Sequence, residues 1–338
     1  PCFGPNAKAA EIESSKLFSK SLMKKYGIPT AAYEVFTEQG PALEYIKRQG
    51  KYPVVIKADG LALGKGVVIA QNEQEAEDAL RSMMEDKVFG DSGSRVVVEE
   101  FLTGPEATVL AFTDGETLYP MASSMDHKQA YDGDKGPNTG GMGTVSPNPA
   151  YTDELAKRCM EEIFLPTMQA MNQEGRRFKG CLYFGLMLTP GGPKVIEYNS
   201  RFGDPEAQVV LPRLETDLVD VITAVAEGRL GEIDMKWSPK ACACVVMASG
   251  GYPGSYPKGL EITGLDEGGQ AAGMDGVTVY HAGTKLENGK FYTNGGRVLG
   301  ITALGDTLPD ALDKAYAAVG GIHFDGAFCR RDIGRRPL

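Results

Sequence analysis

The stretch Val195-Ile196-Glu197-Tyr198-Asn199-Ser200-Arg201 carries residue types able to do chemistry together. Side chains alternate along a strand, so Glu197, Asn199 and Arg201 share one face. A carboxylate and an amide oxygen two residues apart can share one hard cation. A guanidinium beside them suits a phosphate or an acyl phosphate. The other face carries Ile196 and Tyr198, which are expected to pack inward. Gly203-Asp204-Pro205-Glu206 follows and adds anchored polar groups. The plain alternative is an amphipathic edge strand with a wet polar face, in which Arg201 pairs with Asp204 or Glu206 to brace the loop.

A second stretch runs from Lys57 to Gly66, with Gly60, Gly64, Lys65 and Gly66 inside it. It is not a P-loop: Gly60 to Gly64 is one residue too short, Gly66 follows Lys65, and the next element reads as a strand. A glycine-rich loop between strands is a flap that folds over phosphates, with Gly64, Lys65 and Gly66 at its tip; a tight hairpin holding two lysines is the alternative. The run Glu99-Glu100-Phe101-Leu102 reads as a strand entering a linker whose backbone can meet an adenine edge, with Glu106 near ribose hydroxyls. Surface acids at a strand end would look the same. Asp126-His127-Lys128 precedes Gly140-Gly141-Met142-Gly143, a loop able to present N–H groups to a substrate phosphate; a structural histidine is the alternative. Thr293-Asn-Gly-Gly296-Arg297 and His281 to Thr284 read equally well as anion contacts or as hairpin turns.

These groups need elements to hold them. Residues 7–26 read as one helix, stopped at Gly27. Strand, glycine loop and strand follow over 53–70, then a helix opened by Asn72 and Glu75 and ending near Asp86, then a strand at 96–98. A hairpin turns at Asp114-Gly115, and 132–149 reads as a long loop. A helix over 152–173, strands at 180–189 and 194–199, and a helix at 217–227 complete this part. Composition shifts near Trp237-Ser238-Pro239; beyond it lie strands at 242–248, 277–283 and 297–304 and a helix at 308–319.

The 338 residues carry a net charge of −10, with no basic stripe of the kind nucleic acid requires. Arg330, Arg331, Arg335 and Arg336 form a basic cluster that reads as a solvated tail. No apolar run approaches the ~20 residues of a membrane span. Six scattered cysteines and three separated histidines suggest neither a zinc site nor a disulfide framework, so the reducing cytoplasm is expected. The sequence leaves the oligomeric state open, a monomer being one reading.

Lys57 to Gly66, Glu99 to Leu102, Asp126 to Lys128, Pro137 to Gly143, Val195 to Glu206 and Thr293 to Leu299 resemble, in order and spacing, glycinamide ribonucleotide synthetase. The resemblance covers nearly the whole chain. It implies an α+β, ATP-grasp fold: a central antiparallel-sheet domain over 1–30 and 101–236, a small lid over 31–100, and a β-rich C-terminal domain over 237–338. It implies that glycine is joined to 5-phosphoribosylamine with ATP, through glycyl phosphate, a step of purine synthesis. Lys16, Lys57, Glu99 to Leu102 and Glu106 would then hold ATP, and Glu197 and Asn199 would hold Mg²⁺ or Mn²⁺. Lys65 and Arg201 would offset charge during transfer. Asp126, His127, Lys128, Gly140 to Gly143, Arg201, Asp204, Gly296 and Arg297 would face the substrates. The family has a preceding domain that this sequence lacks, so part of the amine site is expected to be absent. Where related ligases place a second metal-binding carboxylate, this chain has Gly185-Leu186-Met187. Competing expectations are a carboxylase activating bicarbonate, another carboxylate–amine ligase, or a nucleotide-binding module inactive on its own.

Overall fold

The computed structural model describes residues 2–60, 66–86 and 93–335. The chain opens with α1 (Ala7–Ser14) and α2 (Lys16–Tyr26), not one continuous helix. The break is at Ser15, whose backbone is extended and whose hydroxyl caps α2 at Phe18 N. Asp59, from far along the chain, accepts a second bond from Leu17 N at 3.1 Å, so this helix start is made by tertiary contact.

Four antiparallel strands come next: β1 (Tyr33–Phe36), β2 (Val54–Ala58), β3 (Val67–Ala70) and β4 (Val96–Glu100), in the order β1-β4-β2-β3. Helices α3 (Gln39–Gln49) and α4 (Glu73–Leu80, continued by a π turn to Glu85) bury Ile46, Leu80 and Met83 against Ile56, Val96 and Val98. Asn72 caps α4 as expected, but the return bond from Glu75 goes to Gln71 N.

A second sheet has the order β12-β11-β5-β6, from β5 (Glu106–Thr113), β6 (Leu118–Pro120), β11 (Gly180–Thr189) and β12 (Gly192–Asn199). One face receives α1, α2 and the helices α5 (Asp153–Cys159) and α6 (Leu165–Gln173), with Phe164, Phe184 and Tyr198 at the centre. The other face buries Leu110, Phe112 and Tyr183 against α7 (Ala207–Val210) and α8 (Leu218–Glu227). Covered on both sides, β5 reads as a nearly unbroken apolar run.

Residues 132–149, expected to be a loop, are partly strand. β8 (Gln129–Tyr131) and β9 (Lys135–Asn138) form a hairpin, while β7 (Met125–Asp126) and β10 (Gly143–Ser146) join β13 (Ala241–Ala248), β15 (Val277–His281) and β18 (Arg297–Gly305) in a five-stranded sheet. That sheet runs in the order β15-β18-β13-β10-β7, so it crosses the composition shift at 237. α9 (Leu308–Gly321) covers it through Ala311, Leu312 and Ala315. A small sheet of β14 (Glu261–Ile262), β16 (Thr284–Glu287) and β17 (Lys290–Thr293) stands beside it. Among the described residues no helix is long and apolar enough to cross a membrane.

Of the basic cluster near the C-terminus, Arg331 and Arg335 are exposed and Arg336 lies outside the described residues, but Arg330 is not solvated. Arg330 is 1% exposed and is bonded to Asp332, Asp134 and Gln129 O, which ties the chain end to the β8–β9 hairpin.

Candidate active site

The site is built where the first two sheets meet. Lys57, on β2, reaches out of its own sheet: its Nζ donates to Ile196 O on β12 at 3.2 Å and lies 3.1 Å from Glu99 Oε2. Lys20, on α2, approaches the same Glu99 oxygen at 3.0 Å. Burial pulls the Lys20 ammonium down to about 8, against the opposing pull of Glu99. Glu99 Oε1 is buried without a hydrogen-bond partner, an acceptor left open for a donor. Lys16 donates to Gly60 O at 2.8 Å, which ties the helix to the start of the glycine-rich loop; burial first, and Lys57 second, lower its pKa. Gly64 and Lys65 lie outside the described residues.

Strand β12 brings the polar face. Glu197 is exposed, Asn199 is half-buried, and Tyr198 on the opposite face packs on Phe184 and shares a 2.9 Å bond with Thr167. Ile196 does not pack inward as alternation requires. Gly185 pairs with Glu197 and Leu186 with Val195, so Ile196 is the extra residue of a β-bulge. The bulge turns its carbonyl to Lys57. Gly185 also makes room: a Cβ there would sit 3.0 Å from Glu197 Cγ. Among the described residues no group of three or more His, Cys, Asp or Glu side chains could hold a metal. A cation here would therefore rest on Glu197, Asn199 and the oxygens of a ligand.

Arg201 pairs with neither Asp204 nor Glu206. It is 58% exposed, 3.7 Å from Glu13 Oε1, and donates to Phe202 O. Glu13 also accepts from Ser200 N at 2.8 Å, so α1 braces the end of the strand.

The third wall is the seam with the five-stranded sheet. Lys128 lies 2.9 Å from Glu106 Oε2 and also feels Glu197; Glu106 holds its ammonium well above the usual range, and Lys128 holds the Glu106 carboxyl low. Glu106, expected near ribose, is thus engaged by Lys128. Burial, then the charge of Glu206, pushes the Asp126 carboxyl up, and burial raises Glu206, which accepts from Tyr183 at 2.9 Å. Gly141 has φ of +109°, and a Cβ there would sit 2.6 Å from Asp126 Oδ1, so the loop needs glycine at this point.

Several residues expected at the substrates are engaged by the framework. His127 is 3% exposed; its Nδ1 faces Gly143 O at 3.1 Å and its Nε2 accepts from Gly334 N. Met142 is fully buried. Gly296 lies where a Cβ would strike the rings of Tyr252 and Tyr256. Arg297 bonds Gly140 O, Asp204 O and Asp204 Oδ2 at 2.7, 2.9 and 2.8 Å, and so fastens the glycine loop to the Gly203–Glu206 turn. Glu100 pairs with Lys194 and accepts from Ala32 N, while Phe101 is 38% exposed and Leu102 half-buried beside it.

Residues 14–207 match the phosphoribosylglycinamide synthetase ATP-grasp (A) domain, and residues 242–336 match the C domain of the same synthetase. The chain is 51% identical over 339 residues to the phosphoribosylamine–glycine ligase of Vibrio cholerae, covering 100% of this chain and 78% of that protein. The chain belongs to the phosphoribosylglycinamide synthetase family. The Escherichia coli member is 51% identical over 338 residues, again across 78% of its length. A crystal structure of the Thermotoga maritima family member superimposes with a TM-score of 0.88 at 36% identity, over 98% of this chain and 81% of that one. The biotin carboxylase of Campylobacter jejuni shares the fold alone, with a TM-score of 0.75 at 17% identity over 96% of this chain and 70% of that one. The α+β, ATP-grasp architecture expected from sequence is therefore the one found, and this synthetase family uses ATP.

The motifs did not point to Lys20, Thr30 or Glu13, and Gly185 was noted only for the carboxylate it replaces. Lys20 looked like one of several lysines on an amphipathic helix. Its one sequence-level signal is its place on the helix: it lies between the buried Ser19 and Leu22.

Proposed function

We propose that this chain joins glycine to 5-phosphoribosylamine at the expense of ATP, giving glycinamide ribonucleotide, ADP and phosphate through glycyl phosphate. The observation that carries this is the reach of Lys57 to Ile196 O, one residue before Glu197. It supports a site in which one cation from the glycine-rich sheet, Lys57, reaches the strand that carries the carboxylate–amide pair, as a phosphoryl transfer requires.

Lys16 and Lys57 hold the nucleotide phosphates, and the open Glu99 Oε1 takes a donor from the base. Arg201, free on most of its surface, offsets charge on the transferred group. Mg²⁺ or Mn²⁺ fits the oxygen pair Glu197 and Asn199, and when bound it neutralises phosphate charge. The glycine loop at 140–141, held by Arg297, presents the amine substrate. No covalent nucleophile is needed, because positioning and charge neutralisation supply the rate. All six cysteines are free, which suits a cytoplasmic enzyme.

The test is ADP release with glycine plus phosphoribosylamine against ADP release with bicarbonate. The chain covers 78% of its relatives' length, so it is assayed alone and joined to the remaining segment of a relative. Glycine-dependent release in either form supports ligation. Bicarbonate-dependent release would make the chain a carboxylase, and nucleotide binding without turnover in both forms would make it a binding module.

A further inference from the structure

Lys20 lies outside every motif, yet among the described residues it is the least exposed lysine at the site. Glu99 Oε2 faces two cations, Lys20 at 3.0 Å and Lys57 at 3.1 Å, and the three side chains are 2%, 8% and 4% exposed for Lys20, Lys57 and Glu99. One carboxylate cannot neutralise two ammoniums, so the triad keeps a surplus positive charge in a place nearly closed to water. Such a surplus is a standing cost that an arriving anion removes. A bridge that served only folding would need one lysine.

Lys20 is also anchored apart from Glu99. Its Nζ donates to Thr30 Oγ1 at 2.8 Å, and Thr30 Oγ1 donates to Val195 O at 2.7 Å. The anchor therefore ends on β12, the strand of Glu197 and Asn199. Glu99 and Lys57 belong to the other sheet. Lys20 is thus the fixed point against which Glu99, and through it Lys57, is set relative to β12.

We propose that Lys20 is a positioning residue for the phosphates of a nucleoside triphosphate: it draws Glu99 toward itself, so Lys57 keeps only part of a counter-ion and stays available to phosphate. This rests on the reading of Lys57 as a phosphate ligand. Without Lys20, Glu99 pairs with Lys57 alone and competes with the phosphates for it.

The experiment measures equilibrium affinity for ATP and for adenosine, with neither glycine nor amine present. Their ratio isolates the phosphate grip. In Lys20→Met the ratio is expected to fall by about tenfold, the size of one charge-assisted hydrogen bond, with adenosine affinity nearly unchanged. Adding Glu99→Gln to Lys20→Met releases Lys57 and is expected to restore the ratio to within about threefold of the parent's, whatever happens to adenosine binding. Thr30→Val keeps every charge but removes the anchor; it is expected to lower the ratio by about threefold and decides the matter if Lys20→Met does not fold. A folded Lys20→Met chain with the parental ratio, or with parallel losses for ATP and adenosine, overturns the proposal. A parental chain that binds ATP no better than adenosine overturns the phosphate reading of Lys57 itself.

Discussion

Replacing Arg330 by alanine separates a solvated tail from a structural lock. The guanidinium is 1% exposed and makes four bonds: Nε and one terminal nitrogen to the Asp332 oxygens at 2.7 Å each, the other terminal nitrogen to Asp134 at 3.0 Å and to Gln129 O at 3.1 Å. Truncation removes the guanidinium from a half-buried carbonyl and from two carboxylates, of which Asp332 keeps the bond from Gly133 N. Breaking a buried pair costs about 3–5 kcal/mol. Asp332 and Asp134 are 22% and 35% exposed and can regain water, which favours the low end, about 3 kcal/mol. Arg331→Ala is the internal control: that side chain is exposed, and surface changes stay within about 0.5 kcal/mol. Urea unfolding of both variants and the parent gives the comparison. Acid gives a second arm. Burial alone would raise the Asp332 carboxyl, but its bonds to Arg330 and Gly133 N outweigh that and hold it at about 2. A carboxyl depressed in the folded state stabilises above its unfolded pKa, near 4, and loses that contribution as pH falls toward 2. The gap between parent and Arg330→Ala should therefore narrow from pH 5 to pH 2. Equal small effects at 330 and 331, or a gap unchanged in acid, would refute the lock.

Glu197→Gln keeps shape but removes the one carboxylate of the proposed cation pair; the Mg²⁺ concentration for half-maximal turnover should rise at least about tenfold with little change in melting temperature, and an unchanged Mg²⁺ requirement excludes the site. Arg201→Ala should raise the barrier by about 3 kcal/mol, seen in kcat more than in ATP affinity, with Arg201→Lys recovering part; a near-parental rate in the folded alanine variant rejects the role. His127→Ala should speed hydrogen exchange at Gly334 N and lower stability by about 1–3 kcal/mol while turnover per folded molecule stays close to the parent's; lost turnover without lost stability would return His127 to the substrates.

Much of the fold was legible because its signals are local. The strand pair around the glycine loop, the Asp114-Gly115 hairpin turn, the long helix from 153 and the strands β11 and β12 follow from periodicity and turn residues. Two misreadings share one cause. Helix 7–26 breaks where Leu17 N donates to Asp59, and the part of the supposed loop that forms β10 becomes strand by pairing with residues about a hundred positions later, whereas β9 pairs locally with β8. Local pattern carries no information about such partners.

The candidate site divides in the same way. Glu197 and Asn199 sharing a face is a property of any strand, and a glycine-rich loop between strands advertises itself in composition, so both were open to reading from residues alone. The order of the motifs was enough to identify the family. Which polar residues are engaged by the chain itself was decided only in three dimensions. His127 spends both ring nitrogens on the chain, Arg297 spends its guanidinium on two loops, and Ile196 bulges out of the alternation to offer Lys57 a carbonyl. Lys20 reads as one surface lysine among several until α2, β4 and β12 come together. A polar side chain's role is set by what satisfies it once water is gone, and its partners come from parts of the chain that only folding brings within reach.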